Sequence, residues 1–166
     1  SAKGLPVIRE VGLYFEYKLY RGNRTTKINA ENFRAFASLN YPHLAESGVH
    51  LNVFFEYLLP VKRNKNLKVH KKMDENVALL KLFPGINRSV LESVLQTKGL
   101  KALILETYGS GNGPTAEWFL DCLKKSIERG LHVINVTQCS GGSVIMGKYE
   151  TSSHLKKMQV VNGKDI

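Results

Sequence analysis

Cysteine is nearly absent from these 166 residues. There are two, Cys122 and Cys139, in no paired pattern, which excludes a disulfide-stapled scaffold and fits a reducing compartment. No apolar run approaches the roughly 20 residues that a bilayer span needs, so no transmembrane helix is expected. The five histidines (His43, His50, His70, His132, His154) are scattered, with no two at ligand spacing on one helix face. That predicts no metal site. Acidic residues are outnumbered, 14 against 24 basic ones, for a net charge of +10. Much of the excess is local: Lys62, Arg63, Lys65, Lys68, Lys71 and Lys72 share one window. Such a run could follow a phosphate backbone, but it holds no aromatic residue to stack on bases. Its alternation of Leu67 and Val69 with polar neighbours reads instead as a linker or edge strand, where lysines prevent edge-to-edge pairing. Nucleic acid is therefore not an expected partner. What is present, 43% hydrophobic and 23% charged residues, is ordinary globular composition with room for one domain, or a domain and part of another.

The pattern changes at the basic window. Before it, Pro6 to Phe15 and Lys18 to Tyr20 read as extended segments, Asn29 is placed to cap a short helix through Phe36, and Val49 to Tyr57 reads as a strand. After it, the order is regular. Val77 to Leu82 is a strand ended by Pro84-Gly85. Asn87 caps a helix to about Thr97, and Ala102 to Glu106 is a strand. Thr115 to Arg129 is a helix closed by Gly130, and His132 to Thr137 is a third strand. This alternation predicts a parallel sheet, and the apolar runs of the second and third strands predict cover on both faces. The expected fold is α/β: a flavodoxin-like or Rossmann-like three-layer C-terminal domain following the end of an N-terminal α/β domain. The expected boundaries are residues 1–60, a basic linker or edge strand at 61–75, and residues 76–166.

In a parallel sheet, chemistry gathers beyond the carboxyl ends of the strands. The turn Gly109-Ser110-Gly111-Asn112-Gly113-Pro114 has the position of a dinucleotide-binding loop but not its spacing. The third glycine comes too early, Pro114 removes an amide donor, and Asn135 and Thr137 stand where a ribose-binding acid would be. Cys139 has no histidine base beside it in the sequence and reads as a small packed residue. In the first half, Arg21-Gly22-Asn23-Arg24-Thr25-Thr26-Lys27 places a lysine after two hydroxyls. Lysine accepts a proton only once its ammonium is neutral, a state that burial and hydrogen bonding can promote. The alternative is a solvated basic hairpin tip.

Three segments, YRGNRTTK (20–27), ETYGSGNGPT (106–115) and VINVTQCSGGSVIMGKY (133–149), agree in order and spacing with one family. Together they resemble the cytoplasmic, type I bacterial L-asparaginases and their animal relatives, over nearly the whole chain from Pro6 to Ile166. The resemblance implies an amidohydrolase acting on L-asparagine without a cofactor. Lys27 would be a catalytic base, and Asn112 would touch substrate in a neighbouring subunit of a homodimer or homotetramer. It also implies what is missing: the family's nucleophilic threonine in Thr-Gly-Gly-Thr, and a Thr-Asp pair. Neither string occurs here, so the chain is expected to be a C-terminal portion, inactive alone. In some members Thr26, Cys139 and an arginine line a second, allosteric asparagine site. Glu106 occupies the arginine's position, and an acid cannot pair with the effector's carboxylate. A related amidase or glutaminase, or a non-catalytic small-molecule-binding α/β domain, are the alternatives.

Overall fold

The computed structural model describes residues 6–60, 69–147 and 150–166. They form two compact units, Ser1–Val69 and His70–Ile166.

The first unit opens with a hairpin, β1 (Gly12–Phe15) and β2 (Lys18–Arg21), paired from Phe15↔Lys18 to Gly12↔Arg21. Its two-residue loop, Glu16 and Tyr17, has φ of 45° and 67°. Positive φ at both positions matches the strand twist but is usually assigned to Asn-Gly. A 3-10 turn (Gly22–Arg24) leads through Thr25 into β3 (Thr26–Lys27), which pairs with β4 (Phe36–Ala37). Next come β5 (Ala45–Ser47) and β6 (Leu51–Val53), giving an antiparallel sheet in the order β1-β2-β5-β6. A 3-10 turn, Phe55–Tyr57, replaces the end of the strand expected to reach Tyr57.

The helix expected from Asn29 to Phe36 does not form. Asn29 Oδ1 does accept from the amides of Glu31 and Asn32, at 2.8 and 2.9 Å, as a cap should. However, the register Lys27↔Phe36 requires the chain to reverse between those residues, and Ile28 N–H closes onto Ala35 O at 2.8 Å. Strand pairing therefore takes the backbone groups that a helix would use. Likewise, only Gly12–Phe15 of the expected Pro6-to-Phe15 strand is paired, and Lys27 lies in a strand, not a turn.

The second unit is a parallel sheet. Its elements are β7 (Val77–Lys81), α1 (Arg88–Leu95), β8 (Ala102–Thr107), α2 (Glu117–Glu128), β9 (His132–Thr137), α3 (Glu150–Lys157) and β10 (Val161–Asn162). The strand order is β10-β9-β8-β7, with Leu80↔Leu105 and Leu103↔Val133 in register. Asn87 Oδ1 accepts from Val90 N–H at 3.1 Å to cap α1, and Gly130, at φ 98°, ends α2. Leu80, Leu103, Leu105 and Val133 lie on one sheet face. They share a core with Leu91 and Leu95 of α1, Phe119 and Leu123 of α2, and Leu155 of α3. The opposite face is less covered than the apolar runs suggest: Ile104 and Ile134 are half-buried and Leu79 is 60% exposed. Residues 69–75 have no regular secondary structure and are exposed. The other residues of the basic window, Lys62, Arg63, Lys65 and Lys68 among them, lie outside the described residues.

Candidate active site

Lys27 and Thr26 are exposed on the short strand β3 of the first unit. Upstream, Thr25 Oγ1 donates to Arg21 O at 2.7 Å, tying the Thr-Thr-Lys segment to the end of the hairpin. Arg21 itself is not a loose charge beside the lysine. Its guanidinium pairs with Glu10, donates to Tyr57 O at 2.9 Å and lies 4.1 Å over the Tyr41 ring. Glu10 also accepts from Leu59 N–H at 2.9 Å. Only 13% of the Arg21 side chain and 5% of the Glu10 side chain is exposed. The hydrogen bond from Arg21 holds the Glu10 carboxyl below its ordinary pKa against the opposing effect of burial, and the same bond raises Arg21. Sequence reasoning missed Glu10 and Tyr41, because the spacing that brings them to Arg21 is set by tertiary packing and has no local period.

In the second unit the polar groups converge beyond β8 and β9. Tyr108 and Asn112 form an isolated bridge: Tyr108 N–H donates to Asn112 O at 2.8 Å, and the amides of Gly111 and Asn112 both turn back to Tyr108 O, at 3.0 and 2.9 Å. Those two amides are thus turned inward and do not offer donors to a phosphate, as the amides of a dinucleotide-binding loop would. Three successive loop carbonyls are each held from outside the loop. Thr137 Oγ1 donates to Gly109 O at 2.5 Å, Ile145 N–H to Ser110 O at 2.9 Å, and Asn135 Nδ2 to Gly111 O at 3.1 Å. Asn112 is thus presented on a fixed turn.

Glu106 is half-buried near the end of β8, in register with Lys81 and Val136. Its carbonyl accepts from Gln138 Nε2 and Leu82 N–H, both at 2.9 Å. The Cys139 thiol is free, and the residue is exposed, not packed as the sequence suggested. Its amide donates to Thr137 Oγ1 at 3.0 Å. Glu106, Asn112 and Cys139 therefore belong to adjoining strand ends and loops of one unit, whereas Thr26 and Lys27 belong to the other. Among the described residues there is no cluster of three or more histidine, cysteine or acidic side chains able to hold a metal ion, and no helix long and apolar enough to cross a membrane.

Comparison with known proteins covers both units. Residues 76–166 match the glutaminase/asparaginase C-terminal domain family, and residues 2–58 match the asparaginase N-terminal family. L-asparaginase 1 of Escherichia coli (strain K12) is 41% identical over 159 residues, which is 96% of this chain and 46% of that protein. The 60 kDa lysophospholipase of Mus musculus is 40% identical over 163 residues, 98% of this chain and 28% of that protein. The crystal structure of L-asparaginase I from Vibrio cholerae superposes with a TM-score of 0.85 at 35% identity, covering 96% of this chain and 47% of that one. The chain thus spans half or less of the length of each of these relatives.

Proposed function

The chain belongs to the asparaginase family, and on that premise we propose that it supplies the lysine base and a substrate-contacting asparagine to an amidohydrolase that converts L-asparagine to L-aspartate and ammonia. The observation that carries this reading is the order of the matches: the N-terminal family over 2–58 and the C-terminal family over 76–166, with Lys27 inside the first and Asn112 inside the second. In the proposed reaction a threonine hydroxyl attacks the amide carbonyl while neutral Lys27 takes its proton. The proton then passes to the departing amine, which leaves as ammonia. Water hydrolyses the acyl-enzyme ester to aspartate and restores the hydroxyl. Thr25 and Thr26 orient the segment. Because Lys27 is exposed in its unit, the desolvation that favours its neutral form has to come from substrate and from groups the described residues of this unit do not supply.

The proposal includes assembly. The pinned 108–112 turn would complete the site of a neighbouring copy in a homodimer or homotetramer, and the free thiols Cys122 and Cys139 suit the reducing cytoplasm. Thr26, Glu106 and Cys139 match the positions of the family's second asparagine site, and with Glu106 where an effector carboxylate would need a cation, control by a second asparagine is expected to be lost.

Ammonia release by the full-length protein, measured on asparagine and on glutamine, tests the reading. A lysophospholipid assayed for fatty acid release serves as a third arm, prompted by the mouse relative. A preference for glutamine would make the protein a glutaminase, and no turnover on any of the three would leave a binding domain. The 166-residue chain alone, without Thr-Gly-Gly-Thr or Thr-Asp, should release no ammonia above a buffer control.

A further inference from the structure

Asn135 is out of place for folding alone. It is fully buried in β9, on the sheet face that otherwise carries Leu103, Leu105 and Val133. A buried amide in such surroundings is tolerated only when its donors and acceptor are engaged. Its Oδ1 takes the hydroxyl hydrogen of Thr107, itself fully buried, at 2.6 Å, and its Nδ2 donates to Gly111 O at 3.1 Å. The acceptor is the carbonyl of the peptide that joins Gly111 to Asn112. The amide of that same peptide donates to Tyr108 O at 2.9 Å, and the Asn112 carbonyl receives Tyr108 N–H at 2.8 Å. The peptide plane is therefore fixed at both ends, and with it the direction in which the Asn112 Cβ leaves the backbone. Gly111 makes the approach possible. At φ 111° a Cβ there would sit 2.7 Å from Val144 Cγ1 and 3.1 Å from Asn135 Nδ2, and would push the amide away.

We propose that Asn135 is a positioning residue for substrate binding, which acts by holding the Gly111 carbonyl so that Asn112 points at substrate. The proposal rests on the reading of Asn112 as a substrate contact. Its test is a double-mutant cycle in the full-length protein, reading KM and kcat for asparagine. Asn135→Leu keeps the volume and suits the leucine-rich face. Thr107 stays satisfied, because its hydroxyl also lies 3.1 Å from Val136 O. Of the two groups that the Asn135 side chain holds, the Gly111 carbonyl is the one that loses this partner without the alternative that Thr107 has. The expected result is a rise in KM of about ten-fold, the scale of one lost buried hydrogen bond, with kcat changed less than about two-fold. In an Asn112→Ala background the same substitution should change KM by less than about two-fold, because the residue through which it acts is gone.

Should Asn135→Leu fail to fold, Thr107→Val frees the amide from its other side. It should raise KM a few-fold, again only when Asn112 is present. An unchanged KM in the single variant, or effects of Asn135 and Asn112 that multiply, would overturn the positioning role while leaving Asn112 a substrate contact. An Asn112→Ala enzyme with normal KM would remove both.

Discussion

Lys27 presents its amine from a two-residue strand whose partner is Phe36, so its backbone is fixed while its side chain reaches into solvent. If it is the proton acceptor, Lys27→Met in the full-length enzyme keeps most of the side-chain volume and removes the base. kcat should fall by at least about a hundred-fold, the usual worth of a general base, with KM changed only a few-fold. Steady-state kinetics with asparagine decides, and a variant with near-normal turnover takes the lysine out of the mechanism. Glu106 makes a second prediction. A ligand shifts a two-state equilibrium only through differential binding, and a carboxylate at that position repels the effector's own. The velocity curve should therefore be hyperbolic in asparagine, and a sigmoidal curve would mean that another cation stands in for the missing arginine. The sequence offered Lys27, Asn112 and Glu106 as candidates because each lies in a contiguous motif. It gave no sign of Glu10 or Tyr41, nor of the buried bonds that Asn135 makes from within the 133–149 motif, because a buried partner is defined by what packs against it.

The elements of the second unit were legible from their periods. The Asn87 cap, the Gly130 stop and the three strands to Thr137 are local signals that the packing leaves undisturbed. β10 and α3 were not foreseen, since a two-residue strand gains its pairing with Ile134 and Asn135 only from tertiary contact. In the first unit a local signal lost: Asn29 makes its capping bonds and no helix follows, because the β3–β4 pairing claims the backbone. What holds that unit's hairpin to the segment around Tyr57 and Leu59 is the nearly buried Arg21–Glu10 pair. Arg21→Ala should destabilise the unit by about 3 kcal/mol, because it strands a desolvated carboxylate, and adding Glu10→Gln should recover part of the loss. Glu10 has a depressed pKa in the folded state. The folded protein therefore binds this proton less readily than the unfolded chain, and the pair's contribution is complete above the unfolded value of roughly 4.3. It declines as pH falls from there through the lower folded value. Urea unfolding at a series of pH values should show this acid loss in the parent and a weaker one in Glu10→Gln. Equal losses in both would assign the acid sensitivity to other groups.

Across the whole molecule the apolar core is unevenly shared. Among the described residues the first unit buries Ala35, Leu44 and Ala45, while the second buries Phe119, Leu103, Leu105, Leu123, Leu155 and others around one sheet. The first unit also leaves Val11, Phe33 and Val49 more than 80% exposed, and an apolar hollow of about 160 Å³ lined by Pro6, Ile8, Leu19, Leu51 and Val53. Burying apolar area is the main favourable term in folding, so the second unit has the stability and the first depends on hydrogen-bonded strands with little behind them. Amide hydrogen exchange on the 166-residue chain should therefore show its slowest amides in β8, β9 and α2, with β1, β2, β5 and β6 exchanging faster by at least about ten-fold. Limited trypsin digestion should cut first before or within the basic window. That window supplies closely spaced lysines and an arginine, and at least its residues 69–75 are exposed and carry no ladder hydrogen bonds. The durable product should start near residue 73 and retain β7 through β9, and further digestion should fall on the first unit. A first cut between β8 and β9, or slowest exchange in the β1–β2 hairpin, would show that stability resides in the antiparallel unit, against the distribution of buried apolar side chains.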